Sequence, residues 1–250
     1  MLQNYIVLDL EMTGLSPRKD CILEIGAVKI ENKQIADTFS VLLSPDCELE
    51  ERITNLTGIT QEMIREGESP EMAIPRFLDF AGDLVWVGHH IQTDYSFLRQ
   101  WTYEHNRNLK VSAVDTLDIA RKMLPQLPHK TLDFLCDEFG IVRQQNHRAL
   151  EDAKATYLLY ERFEKEFLEK EPSVFLEKEL NYKPKKEVPA TQAQKKYLKE
   201  LAEYHRISLE LSMERLLRSE ASRMTDQIIA EYGRPQVSLK HTDKKHHRST

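Results

Sequence analysis

The feature that most constrains the fold is an apolar run ending in two carboxylates, Tyr5-Ile6-Val7-Leu8-Asp9-Leu10-Glu11, followed by Met12-Thr13-Gly14-Leu15. Such a run suits a buried β-strand. Side chains two apart on a strand share a face, so Asp9 and Glu11 project side by side from its end. Like charges that close repel unless a cation lies between them, and a divalent metal favours hard oxygen ligands of this kind. The Thr13-Gly14 turn is expected to let a substrate backbone come close. The plain alternative is a strand that ends in a solvated acidic turn, and the rest of the chain has to choose between them.

At 250 residues the chain has room for one full domain and something smaller. Its apolar content of 40% supports a core, and no stretch approaches the roughly 18 unbroken apolar residues of a membrane helix. The first residues lack the basic-then-apolar order of a signal peptide, and Cys21, Cys47 and Cys136 form no CxxC pair. The expectation is therefore a cytoplasmic protein with reduced thiols and no membrane contact. The net charge of -6 is unevenly spread. Residues 1–182 carry 20 Lys and Arg against 32 Asp and Glu, whereas residues 183–250 carry 15 against 9. An acidic body with a basic end suits a metal-dependent enzyme on a polyanion, because basic segments gain from counterion release on phosphate backbones; a merely soluble tail has the same composition.

Along the chain, five strands are expected. The first, near residues 4–10, is followed by runs at 21–30 and 35–43, joined as an antiparallel hairpin by Glu31-Asn32-Lys33. Apolar stretches at 84–88 and 111–114 supply the last two. Residues 44–70 are expected to be irregular, with Thr60 capping a short helix. Helices are expected from Pro70 to Ala81, after an N-cap at Thr93, from Thr131 to a stop at Gly140, and from Arg148 to Phe167. Strands first, then alternating strands and helices, imply an α/β fold with a mixed five-stranded sheet covered by helices. Pro172, Pro184 and Pro189 mark residues 169–190 as a linker with a short helical piece at 174–180. A small helical module over 191–233 opens with the capping box Thr191-Gln192-Ala193-Gln194. Its second helix is expected around Leu209, Met213, Leu216 and Leu217, and its third from Ala221 to Gly233. The basic tail, 234–250, is expected to lack fixed structure. The main domain is thus assigned to residues 1–168.

Further candidate groups follow in order. Asp94 begins a helix just after a buried strand, where open α/β sheets place their sites; alone, it reads equally as a carboxylate on a helix dipole. Asp152 lies in the long helix with His147 five residues before it. At about 100° per residue the two are offset by about 140°, so His147 belongs to the loop or first turn, where an imidazole can swing over the acidic cluster.

The order Asp9 and Glu11, then Asp94, then His147 with Asp152 resembles the DEDD exonuclease superfamily, and a His five residues before the last Asp marks its DEDDh (DnaQ-like) branch. That branch includes the proofreading epsilon subunit of bacterial replicative polymerase and ribonuclease T. The resemblance covers about residues 4–167. It rests on Leu8 to Leu15, Val87-Gly88-His89-His90-Ile91-Gln92-Thr93-Asp94-Tyr95-Ser96-Phe97-Leu98, and His147-Arg148-Ala149-Leu150-Glu151-Asp152-Ala153. Two positions depart from the family pattern: His90 replaces the usual Asn, and Thr93 the usual aromatic before Asp94.

The resemblance implies a ribonuclease-H-like fold and removal of nucleotides from 3′ ends with two divalent cations, Mg²⁺ or Mn²⁺. Asp9, Glu11 and Asp152 would hold the first metal, Asp9 would also meet the second, and Asp94 would act through coordinated water. Two such ions favour ionisation of an attacking water and stabilise a leaving 3′ oxygen. His147 would be the general base, a role imidazoles suit because they titrate near neutrality. Backbone near Met12, Thr13 and Gly14 would receive the terminal nucleotide, with His89 nearby and Leu15 wedged against the last bases. DNA, single-stranded ahead of duplex, is the expected substrate, with RNA trimming the runner-up. A non-catalytic nucleic-acid-binding or scaffold protein is the remote rival. The C-terminal module is expected to hold single-stranded nucleic acid or to dock a polymerase or another replication or repair protein.

Overall fold

A computed structural model describes residues 1–143, 147–186, 188–209, 213 and 216–235. The chain divides into two compact units, Met1–Lys186 and Glu187–Thr250. The first is built on β1 (Tyr5–Met12), β2 (Ile22–Glu31), β3 (Gln34–Leu42), β4 (Val85–Gly88), β5 (Ser112–Asp115) and β6 (Lys178–Glu179), in the spatial order β3-β2-β1-β4-β5-β6. β1 pairs antiparallel with β2 and parallel with β4, so the sheet is mixed.

Alternation along β1 sorts its side chains. Ile6, Leu8 and Leu10 enter a core with Phe77, Trp86 and Phe97, beneath α3 (Pro70–Ala81) and α4 (Ile91–Glu104). Tyr5 and Val7 enter the opposite core with Leu159, Tyr160 and Phe163 of α7 (Ala149–Phe167), flanked by α5 (Thr116–Met123) and α6 (Leu132–Phe139). Burying a side chain of this size contributes about 1.5–3 kcal/mol, so β1, covered on both faces, is firmly held. Period-2 alternation then puts Asp9 and Glu11 on the α7 face.

Several expectations are corrected. The sheet has six strands, not five, because Lys178 and Ala113 pair across β6 and β5 where a helical piece was expected. A two-residue exposed strand of Lys and Glu carries no apolar signal. Nor is 169–186 a linker. Phe175, in a 3-10 turn over Pro172–Phe175, is buried beside Tyr160, and the buried amide of Gln100 accepts from Lys185 N and Tyr182 Oη and donates to the Lys185 carbonyl. Residues 44–70, expected to be irregular, contain α1 (Glu51–Thr57) and α2 (Gln61–Arg65), the latter capped by Thr60 as its residue type suggests. Helix α4 starts earlier than expected: its N-cap is His90, in left-handed backbone, while Thr93 sits inside the first turn with Oγ1 3.2 Å from His90 Nδ1.

The second unit contains α8 (Gln192–His205), with the Thr191/Gln194 capping box in place, and α9 (Arg218–Tyr232). Leu198, Leu201, Leu216 and Ile228 form its core. The expected helix around 209–217 falls largely outside the described residues, and Leu217 instead bridges Pro189 in extended backbone. The tail expectation lies outside them from residue 236 onward. Among the described residues, no helix is long and apolar enough to cross a membrane.

Candidate active site

The acidic groups gather where β1 ends. Asp94, in the first turn of α4, accepts a hydrogen bond from Leu10 N at 3.0 Å, which ties α4 to the strand that carries Asp9 and Glu11. From the other face, α7 brings Asp152. His147 precedes α7 in left-handed backbone (φ 56°) and its N–H donates to Asp152 Oδ2 at 3.1 Å. Oxygens of Glu11 and Asp152 and a ring nitrogen of His147 lie within 4.8 Å of one another. Hence His147 stands before the helix, as the angular offset from Asp152 requires.

Burial and mutual repulsion shape the electrostatics. Glu11 has its pKa pushed up to about 8, first by burial and then by Asp152, Glu24 and Asp94, with Arg148 opposing. Asp94 is likewise raised to about 8, chiefly by burial, against hydrogen bonds from backbone N–H groups. Asp9 retains some exposure, yet burial of its carboxyl and the charges of Asp94, Asp152, Glu11 and Glu24 hold its pKa well above the usual carboxylate range. Asp152 is raised by burial but eased by Arg143, whose Nη1 donates to its Oδ1 at 2.8 Å while Nη2 holds Asp133. Several buried oxygens, each disfavoured in its charged form by its neighbours, make a donor set that fits a divalent cation.

The other expected residues are placed as follows. Met12 ends β1 half-buried, and Leu15 is 81% exposed. Thr13 closes the following loop: its N–H donates to the Cys21 carbonyl and its Oγ1 accepts from Cys21 N. A side chain at Gly14 would overlap the Asp20 carboxylate, which caps Ser16 N, so the loop closes tightly here because the position is bare. His89 does not join the acidic cluster. Its Nδ1 lies 2.9 Å from Thr116 Oγ1 and its Nε2 2.7 Å from the Lys130 carbonyl, and burial pushes its pKa down to about 4, so it is neutral and donates from Nε2. Sequence reasoning missed Glu24, Arg143 and Arg148. A lone Glu inside the apolar run Ile22 to Val28 was the one available signal; the two arginines gave none.

An exonuclease family model, RNase_T, matches residues 6–160. The PolC-type DNA polymerase III of Caldanaerobacter subterraneus is 40% identical over 152 residues, 61% of this chain but 11% of that protein. The epsilon subunit of DNA polymerase III from Aquifex aeolicus is 35% identical over 153 residues, 61% of this chain and 76% of that protein. In fold, the nuclease domain of 3′hExo, a DEDDh family member bound to rAMP, superposes with a TM-score of 0.56 at 17% identity, covering 66% of this chain and 93% of that one. The chain belongs to the DEDDh, or DnaQ-like, family of 3′–5′ exonucleases.

Proposed function

We propose that the protein removes nucleoside 5′-monophosphates from the 3′ ends of DNA, single strands ahead of duplex, in a reaction that depends on Mg²⁺ or Mn²⁺. The observation that carries this reading is the convergence of Glu11, His147 and Asp152 within 4.8 Å, beside Asp9 and Asp94, at one end of the central strand. Asp9, Glu11 and Asp152 would hold the cations directly and Asp94 through water. Cations there would favour ionisation of the attacking water and stabilise the leaving oxygen. The chain's own part is to orient and to move protons. The half-exposed imidazole of His147 takes the proton of a water whose oxygen bonds to the terminal phosphorus. The bond from phosphorus to the 3′ oxygen of the preceding nucleotide then breaks, and that oxygen takes a proton from solvent. Leu15, with its large exposed apolar surface, is the wedge against the last bases, and backbone at Met12 to Gly14 borders the terminal nucleotide. His89, with both ring nitrogens engaged, supports the loop at Lys130 and Thr116 instead of touching substrate.

The named relatives belong to DNA polymerase III, which supports a cytoplasmic role in replication or repair and a polymerase as partner; the helical unit, beyond the family match over residues 6–160, is the segment we assign to that docking. The rAMP of the structural neighbour is what favours RNA as the second substrate. A time course on 3′- and 5′-labelled single-stranded DNA, duplex DNA and RNA with Mg²⁺ or Mn²⁺ tests the proposal. Stepwise loss of 3′ label as mononucleotide is expected, fastest on single-stranded DNA. Release from the 5′ end, internal cuts, or equal rates in chelator would refute it.

A further inference from the structure

Glu24 and Arg148, to which the proposed chemistry gives no part, sit at the joint between the sheet and α7. Glu24 lies on β2 directly across from Glu11 and is 1% exposed. Its Oε1 accepts from Arg148 Nη2 at 2.8 Å, and its Oε2 accepts from Arg148 Nε at 3.0 Å and from Ala149 N at 3.1 Å. Arg148 is the N-cap residue of α7, but its own side chain makes no cap. The carboxylate that meets the first free N–H of this helix comes instead from a strand 125 residues earlier in the chain. Helix starts leave such N–H groups unsatisfied, and their dipole favours an anion. A two-pronged guanidinium–carboxylate pair fixes angle as well as distance, which a lysine cannot reproduce.

The neighbouring backbone is fitted to the same joint. A side chain at Gly26, two residues along β2 and across from Asp9, would overlap the backbone of Ala149 and Leu150, so α7 comes down on the sheet where the strand is bare. His147 lies immediately before Arg148 and Asp152 one helical turn after it.

We propose that Glu24 and Arg148 are positioning residues of the nuclease site, clamping the start of α7 onto β2 so that His147 and Asp152 face Glu11 on the adjacent strand. Neither touches substrate or cation. Both oxygens of Glu24 are turned to α7, which reserves this carboxylate of the cluster for a guanidinium. The inference rests on the reading of Glu11, His147 and Asp152 as one site, and its test separates the two.

The variants are Arg148→Met, Arg148→Lys, Glu24→Gln and the double Glu24→Gln/Arg148→Met. The readouts are Mn²⁺ affinity by paramagnetic titration, kcat and KM on 3′-labelled single-stranded DNA, and the unfolding midpoint. Partners that orient metal ligands without touching the metal are typically worth about 10- to 100-fold in affinity or rate, and Arg148→Met is expected to lose that much in both, with KM for DNA little changed. Arg148→Lys recovers part of the loss. The double variant is no worse than Arg148→Met, because both residues act through one contact. Should Arg148→Met fail to fold, Arg148→Lys, which keeps the charge and loses the fork, carries the same comparison against wild type. Variants that lower only the unfolding midpoint, leaving Mn²⁺ affinity and kcat at wild-type values, would overturn the positioning role, as would losses that multiply in the double variant. That result on an active wild-type chain would leave the nuclease reading standing, whereas a wild-type chain that binds Mn²⁺ without trimming 3′ ends would refute the nuclease reading and leave the clamp to be judged by affinity.

Discussion

At the end of β1, Asp9, Glu11 and Asp94 crowd together, and among the described residues no lysine or arginine forms an ion pair with any of them. At the start of α7, Asp152 is held by Arg143 and the α7 contact of Glu24 is completed by Arg148. One region leaves its negative charge to be met from outside, and the other neutralises its own with guanidinium groups. The first, with backbone N–H groups but no ion-pair partner among the described residues, is the side that fits divalent cations, while the second holds α7 against β2 through ion pairs of its own. Glu24, with both oxygens committed to α7, is a structural joint; Glu11, with no ion-pair partner among the described residues, is left for a charge from outside; and Asp152, paired with Arg143 yet facing Glu11 and His147, belongs to both regions.

The largest expected effect comes from the side that lacks arginines. Asp9→Ala is expected to cut trimming by about 10³-fold or more, the rate equivalent of several kcal/mol of lost cation stabilisation, without unfolding the protein. Comparable rates for variant and wild type would break the comparison at its stronger end. Next is His147→Ala, expected to lose about 10²- to 10⁴-fold in kcat, the usual range for a general base, while Mn²⁺ affinity changes little. Abolished Mn²⁺ binding in that variant would move His147 from proton acceptor to ligand.

Stability against pH sharpens the contrast. The raised values of Glu11 and Asp94, each about 8, mean that the folded protein keeps protons which the unfolded chain has already released above about pH 4.5. The folded state binds more protons across that window, so stability falls as pH rises toward 8. In chelator, the protein is expected to gain a few kcal/mol on going from about pH 8 to about pH 5, and Mn²⁺ should stabilise it far more at the upper end than at the lower. Urea unfolding at both pH values checks this, and a chelated protein that weakens on mild acidification would contradict it. The smallest effect is expected on the self-neutralised side. Arg143→Met leaves Asp152 Oδ1 without its donor and should cost about 2–4 kcal/mol in chelator near pH 8, a loss that Mn²⁺ partly restores. An unchanged unfolding midpoint would mean that Arg143 does not serve as the internal counter-charge.

What was legible in the sequence was what local chemistry writes. The apolar run of β1 and its paired carboxylates, the Pro70 start of α3, the Thr131 cap and Gly140 stop of α6, and the Thr191/Gln194 box of α8 are signals confined to a few neighbouring residues. Asp94 and Asp152 became legible only through motif order, because a single Asp on a helix carries no mark of what it faces. Contacts across long separations left no local trace. The hook of Gln100 on Lys185, which holds the end of the first unit to α4, pairs an unremarkable amide with backbone. His90 took the cap of α4 from Thr93, because it adopts the left-handed backbone that lets its N–H reach Asp115 Oδ1 at 2.9 Å. The glycine in the Thr13 turn left no sign in the sequence that its bare side faces the Asp20 carboxylate, a contact within its own loop.

Oxygen atoms of Asp9, Glu11 and Asp152 must share divalent cations at the end of β1 if the proposed chemistry is to run. The most direct measurement is the anomalous difference map of a crystal soaked with Mn²⁺ and a nucleoside 5′-monophosphate. It should show manganese bonded to oxygens of all three carboxylates, with the phosphate on the side open to His147. Manganese bound elsewhere, or these three side chains too far apart to touch one ion, would contradict the account.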